Sequence, residues 1–182
     1  MSANHRGRRK TLAIGIGAVL LLSATAAQAR PPETTTVTLN VLRDVEGYHE
    51  EGIVTVREDP TGAVSLTIDI TRTQACPGGS SVSRSETWRG TTTTASLTVA
   101  NNLSSATASG TFTSGYSLTS SCEGETGNGA IGEVLIEGLA TDRATRERTS
   151  DGVRRLTRTA DLTATWGFSA FQGTGAIVKD IG

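Results

Sequence analysis

The chain has 182 residues, with 17 Lys+Arg, 18 Asp+Glu and two Cys, which fits one domain rather than several. Removal of the first 29 residues would take away Arg6, Arg8, Arg9 and Lys10, so the net charge would become 13 − 18 = −5. A mildly acidic chain is not expected to bind nucleic acid, because binding to phosphates needs a cationic face.

The first 29 residues have the pattern of a signal peptide. Basic residues at 5–10 precede an apolar run at 11–22, and Ala27-Gln28-Ala29 fits a small-x-small cleavage site. The run of about 12 residues is shorter than the roughly 20 of a membrane helix. We therefore expect export of one domain, residues 30–182, with no membrane span in the mature chain.

The general secretory route is favoured, with the twin-arginine route as the alternative because of Arg8-Arg9. The Arg-rich, Lys-poor usage suggests a bacterial source.

Alternation of apolar and polar residues predicts strands through the mature chain. Val64, Leu66, Ile68 and Ile70 alternate with polar residues, which is the period of a half-buried strand. The same pattern recurs at 37–41, 54–56, 95–99, 108–118 and 156–168, with Gly, Pro, Asn and Asp between the runs. No segment has a convincing helical face. We predict an all-β, antiparallel meander of about eight or nine strands that forms a barrel or a barrel-like sandwich.

The segment 44–52 holds His49, the single His of the mature chain, among several carboxylates. Such a group can act as a general base or hold a divalent cation. Its spacing matches neither a calcium loop nor a zinc-helix motif. A solvated hairpin tip is the favoured interpretation, so no catalytic residue, metal or cofactor is assigned.

The chain's two cysteines, Cys76 and Cys122, are predicted to form a structural disulfide. In an exported chain of this size two cysteines generally pair with each other, and neither belongs to a CxxC motif.

Aromatic residues lie in the inward phase of the predicted strands, next to small residues. A barrel of eight strands can be filled by such side chains or can hold one small ligand. The two interpretations are a packed core and a site for a small apolar ligand. The ligand-binding hypothesis uses Trp88, Phe112, Tyr116, Trp166 and Phe168.

An Arg-rich hairpin is predicted around the turn Ser150-Asp151-Gly152. A four-residue loop would pair Glu147 with Arg154, and a three-residue loop with a Gly bulge would pair Glu147 with Arg155. A tighter turn would place Arg148 opposite Arg155. Because like charges repel, we predict one of the first two registers.

This hairpin is interpreted either as a soluble edge protected by arginines or as a surface for an anion or acidic partner. The residues assigned to the second interpretation are Arg146, Arg148, Arg154 and Arg155. Arg158 shares the apolar phase of Leu156, so we expect it to reach the end of the sheet or to meet a buried acid.

Signatures of common enzyme classes are absent from the sequence: it has no nucleophile elbow, Walker loop, dinucleotide fingerprint or HExxH motif. The favoured function is therefore a secreted, disulfide-stabilised, non-enzymatic β-domain. It would bind an extracellular or cell-envelope partner or a small apolar ligand. The alternative is a small extracellular hydrolase or isomerase that uses His49 and nearby carboxylates.

Overall fold

The computed structural model describes residues 31–45, 47–76, 83–122 and 124–182. The predicted signal peptide lies outside the described residues. Within those ranges, no helix has the length and apolar character needed to cross a membrane.

The described residues contain ten strands, which together form one sheet. Their bounds are β1 Glu33–Val45, β2 Tyr48–Glu58, β3 Val64–Ala75, β4 Ser83–Thr92, β5 Ala95–Val99, β6 Ser105–Ser120, β7 Thr126–Ala140, β8 Thr145–Arg148, β9 Arg154–Trp166 and β10 Ser169–Ile181.

The sheet closes into an eight-stranded antiparallel barrel. Around the barrel the order is β1, β2, β3, β4, β6, β7, β9 and β10, and β10 pairs with β1 from Ile181 to Thr174. The two remaining strands are additions: β5 pairs with the first part of β6, and β8 pairs with the first part of β9. The all-β meander is thus confirmed, and of the two predicted forms it takes the barrel.

The core lies inside the barrel and follows the alternation of the strands. On β3, Leu66, Ile68 and Ile70 are fully buried, while the residues between them face outward or are half-buried. Because successive side chains on a strand point to opposite faces, the even-numbered residues of β3 line the interior. The other strands add apolar residues in the same way, among them Leu39, Val54, Val134, Leu162 and Ile177.

The predicted disulfide is present and marks one end of the barrel. Cys76 follows β3 and Cys122 follows β6, and their Cα atoms are 5.5 Å apart. The bond joins the ends of two strands that both pair with β4. We call this the disulfide end, and the opposite end, which carries the β8–β9 hairpin, the hairpin end.

Two glycines of β10 lie directly against the backbone of β1, where the barrel closes. A Cβ atom on Gly173 would lie 1.9 Å from the carbonyl oxygen of Asn40, and one on Gly175 would lie 1.7 Å from that of Thr38. A side chain at either position would therefore push the two strands apart.

The position of Phe168 differs from the prediction. Trp166 pairs with Ser169, so the chain reverses through Gly167, whose φ is 55°, and Phe168. Phe168 is fully exposed, with a relative accessibility of 112%. The prediction that it faces inward is wrong because the strand ends at Trp166 and the alternation does not continue through a two-residue turn.

Candidate functional site

On four strands, β1 to β4, the side chains that point into the barrel change from apolar to charged at the disulfide end. On β1, Arg43 continues the buried row that includes Val41, and on β3, Arg72 continues the row that includes Ile70. The corresponding rows of β2 and β4 also carry charges. We call the resulting group the charged cluster: Arg43, Glu50, Arg72, Arg84 and Glu86.

The ion pair between Glu50 and Arg72 is the centre of the charged cluster. The Glu50 side chain has 0% exposure, and its Oε1 accepts a hydrogen bond from Arg72 Nε at 2.8 Å and lies 2.6 Å from Arg72 Nη2. Arg43 Nε faces Glu50 Oε2 at 3.4 Å without the geometry of a hydrogen bond. Burial of the carboxylate is therefore offset mainly by Arg72.

Aromatic rings surround the Arg72 guanidinium. Its Cζ lies 5.2 Å from the ring centroid of Tyr48, 5.4 Å from that of Trp88 and 5.1 Å from that of Phe171. These distances are within the range of cation–π attraction. The rings and Glu50 together fix the guanidinium above the aromatic part of the core.

Glu86 extends the cluster from β3 to β4 and β6. It lies 3.5 Å from Arg72 Nη1 and 3.2 Å from Arg84 Nη2, and the Tyr116 hydroxyl donates to it at 3.4 Å. Burial, and then the negative charge of Glu86, raise the pKa of Tyr116 above its usual value. Tyr116 is accordingly a neutral donor at physiological pH.

Three of the aromatic residues predicted to contact a ligand meet at this end. Trp88 lies 5.8 Å from Tyr116 and 5.9 Å from Trp166, measured between ring centroids, and Phe171 stacks on Trp166 at 4.5 Å. Phe112 lies elsewhere, beside Gly90. Contacts this short show that the rings of Trp88, Trp166 and Phe171 pack against each other and fill the cross-section of the barrel where they lie.

Buried polar atoms without a hydrogen-bond partner are concentrated at the disulfide end. Among the described residues, such atoms here are Arg43 Nε, Glu50 Oε2, Arg84 Nε, Ser120 Oγ and Trp166 Nε1, and at the hairpin end Arg158 Nε. Arg43 Nε and Glu50 Oε2 face each other as an ion pair at 3.4 Å, so Arg84 Nε, Ser120 Oγ and Trp166 Nε1 are the ones without either kind of contact. Buried polar groups are normally hydrogen-bonded, so a group of such atoms in one place needs a physical reason. Three of the atoms at the disulfide end are N–H donors.

The charged cluster is also electrically unbalanced. Its three Arg and two Glu residues give 3 − 2 = +1. Together with the unpaired N–H donors, this charge favours a group that is anionic and rich in acceptor oxygens.

His49 lies next to Glu50 on β2 but on the outer face of the barrel. Its Nδ1 is 2.6 Å from Asp44 Oδ1, its Nε2 is 3.7 Å from Glu51 Oε2, and its side chain is 42% exposed. The hydrogen bond to Asp44 is the largest cause of a pKa raised above 6.5. The described residues contain no group of three or more His, Cys, Asp and Glu that could hold a metal ion. The alternative of an enzyme that uses His49 stays a prediction.

The Arg-rich hairpin adopts one of the two predicted registers. Glu147 pairs with Arg155 across a three-residue loop that ends at Gly152, whose φ is 88°. The same register places Arg148 opposite Arg154. Arg158 reaches the end of the sheet, where it donates to backbone carbonyls rather than to a buried acid.

The charged cluster was missed at the level of sequence, although a signal for it exists. Arg72 is in phase with Ile68 and Ile70, just as Arg158 is in phase with Leu156. A charged residue in the apolar phase of a strand predicts a buried or terminal ion pair. Which acid it meets depends on the pairing of β2 with β3, and short-range alternation does not contain that information.

No protein-family model, curated protein or solved structure matches the chain.

Proposed function

We propose that the protein is a secreted, disulfide-stabilised β-barrel that binds a small organic anion at its disulfide end. The observation that carries this proposal is the concentration of buried polar atoms without a hydrogen-bond partner around Glu50, Arg84 and Trp166. An anionic group with acceptor oxygens would pair with the N–H donors and neutralise the surplus positive charge of the cluster.

The aromatic residues predicted to contact a ligand keep a role in this proposal. Trp88 and Trp166 pack closely with Phe171, so they form a floor and not an empty apolar cavity. A ligand recognised here would place its charged group among Arg43 and Arg84. An apolar part of the ligand is optional, whereas the anion is required.

Mass spectrometry of the protein secreted by its own host tests this function. We expect a native spectrum with an adduct that disappears on denaturation, and a denatured mass that matches cleavage after Ala29. Arg84→Gln should abolish the adduct, because it removes an inward donor and the surplus charge. Arg89→Gln is the matched control: it changes the same charge on the same strand, but Arg89 faces outward and pairs with Asp69 at 2.9 Å.

Either of two results would contradict the proposal. One is a bare native mass for the wild-type protein. The other is an adduct that Arg84→Gln and Arg89→Gln affect equally.

A further inference from the structure

The β8–β9 hairpin has one face on which charges are compensated. Arg155 donates to Asp180 through Nε at 2.8 Å and through Nη2 at 2.9 Å. Its Nη1 also lies 3.9 Å from Glu147 Oε1. Acids of the chain therefore neutralise the cation on this face.

The other face carries Arg146, Arg148 and Arg154, and all three are exposed. They share this face because Arg148 pairs with Arg154 and Arg146 lies two residues before Arg148 on the same strand. Within the part of the chain that the structure describes, none of the three forms an ion pair with a carboxylate. Asp151 at the tip accepts a hydrogen bond from the Thr149 hydroxyl.

Arg148 and Arg154 are directly opposite each other, and like charges in this position destabilise an antiparallel pair. A loop one residue longer would have paired Glu147 with Arg154 and relieved this repulsion. The hairpin thus holds two cations together at a cost in stability that the described residues do not offset. A pairing of like charges that lowers stability without local compensation is typical of functional sites.

The geometry points to a phosphate-bearing polymer as the partner. The guanidinium groups of Arg148 and Arg154 lie on the same face and can both donate N–H hydrogen bonds to one ligand. A phosphate has enough oxygens to accept from both. Arg146 lies two residues from Arg148, which is about 7 Å along a strand, so it can meet a further phosphate of the same chain. We propose that Arg146, Arg148 and Arg154 bind phosphate groups along one such polymer. This surface is separate from the disulfide end.

Binding to immobilised inorganic polyphosphate tests the inference. Arg148→Gln with Arg154→Gln should lower the affinity about ten-fold at low salt and reduce the slope of log K against log salt by about two. The matched control is Arg57→Gln with Arg89→Gln, which removes two exposed outer-face cations elsewhere and should change the affinity less than about two-fold.

The stability of the same variants separates binding from a structural role. Because the first double variant removes a repulsion, its melting temperature should equal or exceed that of the wild-type protein. The inference is overturned if the wild-type protein does not bind polyphosphate, or if both double variants lose affinity equally. Equal affinity for polyglutamate would also overturn it, because the partner would then be recognised by charge alone.

Discussion

Two neighbouring carboxylates on β2, Glu50 and Glu51, have opposite environments. Glu50 is fully buried beside Arg72, whereas the Glu51 side chain is 66% exposed. Removal of one partner of a buried ion pair leaves the other charge uncompensated. We expect Glu50→Ala to lower the free energy of unfolding by about 3 kcal/mol, measured by chemical denaturation.

Glu51→Ala is the control for this prediction, since it removes the same side chain one residue away. An exposed ion pair contributes little, so the change should stay within about 0.5 kcal/mol. Similar effects of the two substitutions would show that the Glu50–Arg72 pair does not stabilise the barrel.

His49 is expected to titrate above its ordinary value because Asp44, and then Glu51, favour the imidazolium form. The stabilisation from this charge is present below pH 6.5 and is lost as the pH rises through the raised pKa of the folded state. Asp44→Asn should lower the pKa of His49, and Glu51→Gln should lower it less. A titration of the His49 ring signals by NMR measures both shifts. An unchanged pKa in the Asp44 variant would argue against the hydrogen bond.

At the level of elements, the contact between β10 and β1 depends on residues without a side chain. The missing Cβ of Gly175 would lie 1.7 Å from the Thr38 carbonyl oxygen. Gly175→Ala should therefore lower the free energy of unfolding by more than about 2 kcal/mol, measured by urea denaturation. Gly127→Ala on β7 is the control, because its Cβ would lie 4.0 Å from Leu118 and change stability by less than about 1 kcal/mol. Equal losses of unfolding free energy in the two variants would contradict a specific role for the close contact between β10 and β1.

Strand phase was predictable from sequence where the alternation is unbroken, as for Leu66, Ile68 and Ile70. The prediction of which face a residue occupies failed at Phe168, because a two-residue turn ends the strand there. The hairpin register was narrowed to two possibilities by charge repulsion. The structure has the register with the three-residue loop, which ends at Gly152 with a φ of 88° and places Arg148 opposite Arg154.

For the whole molecule, composition and turn spacing were enough to predict an antiparallel meander. Closure was not predictable, because it depends on the pairing of β10 with β1 across nearly the full length of the domain. The charged cluster depends instead on the registers of three consecutive strand pairs. These registers place Arg43 opposite Glu50, Glu50 opposite Arg72 and Arg72 opposite Glu86.

Closure of the barrel also determines how the protein meets other copies of itself in solution. A strand with a free backbone edge is a template for intermolecular pairing and aggregation. Here each of the eight barrel strands has a neighbour on both sides, although β7 pairs with β9 only over 135–140 and β4 pairs with β6 only over 84–88. In the described sheet the added strands β5 and β8 pair on one side only. β8 is four residues long and carries Arg146 and Arg148, so its charges oppose the addition of an identical strand. We therefore expect the same arginines that we assign to an anionic partner to oppose edge-to-edge assembly of this Thr-rich β-protein as well.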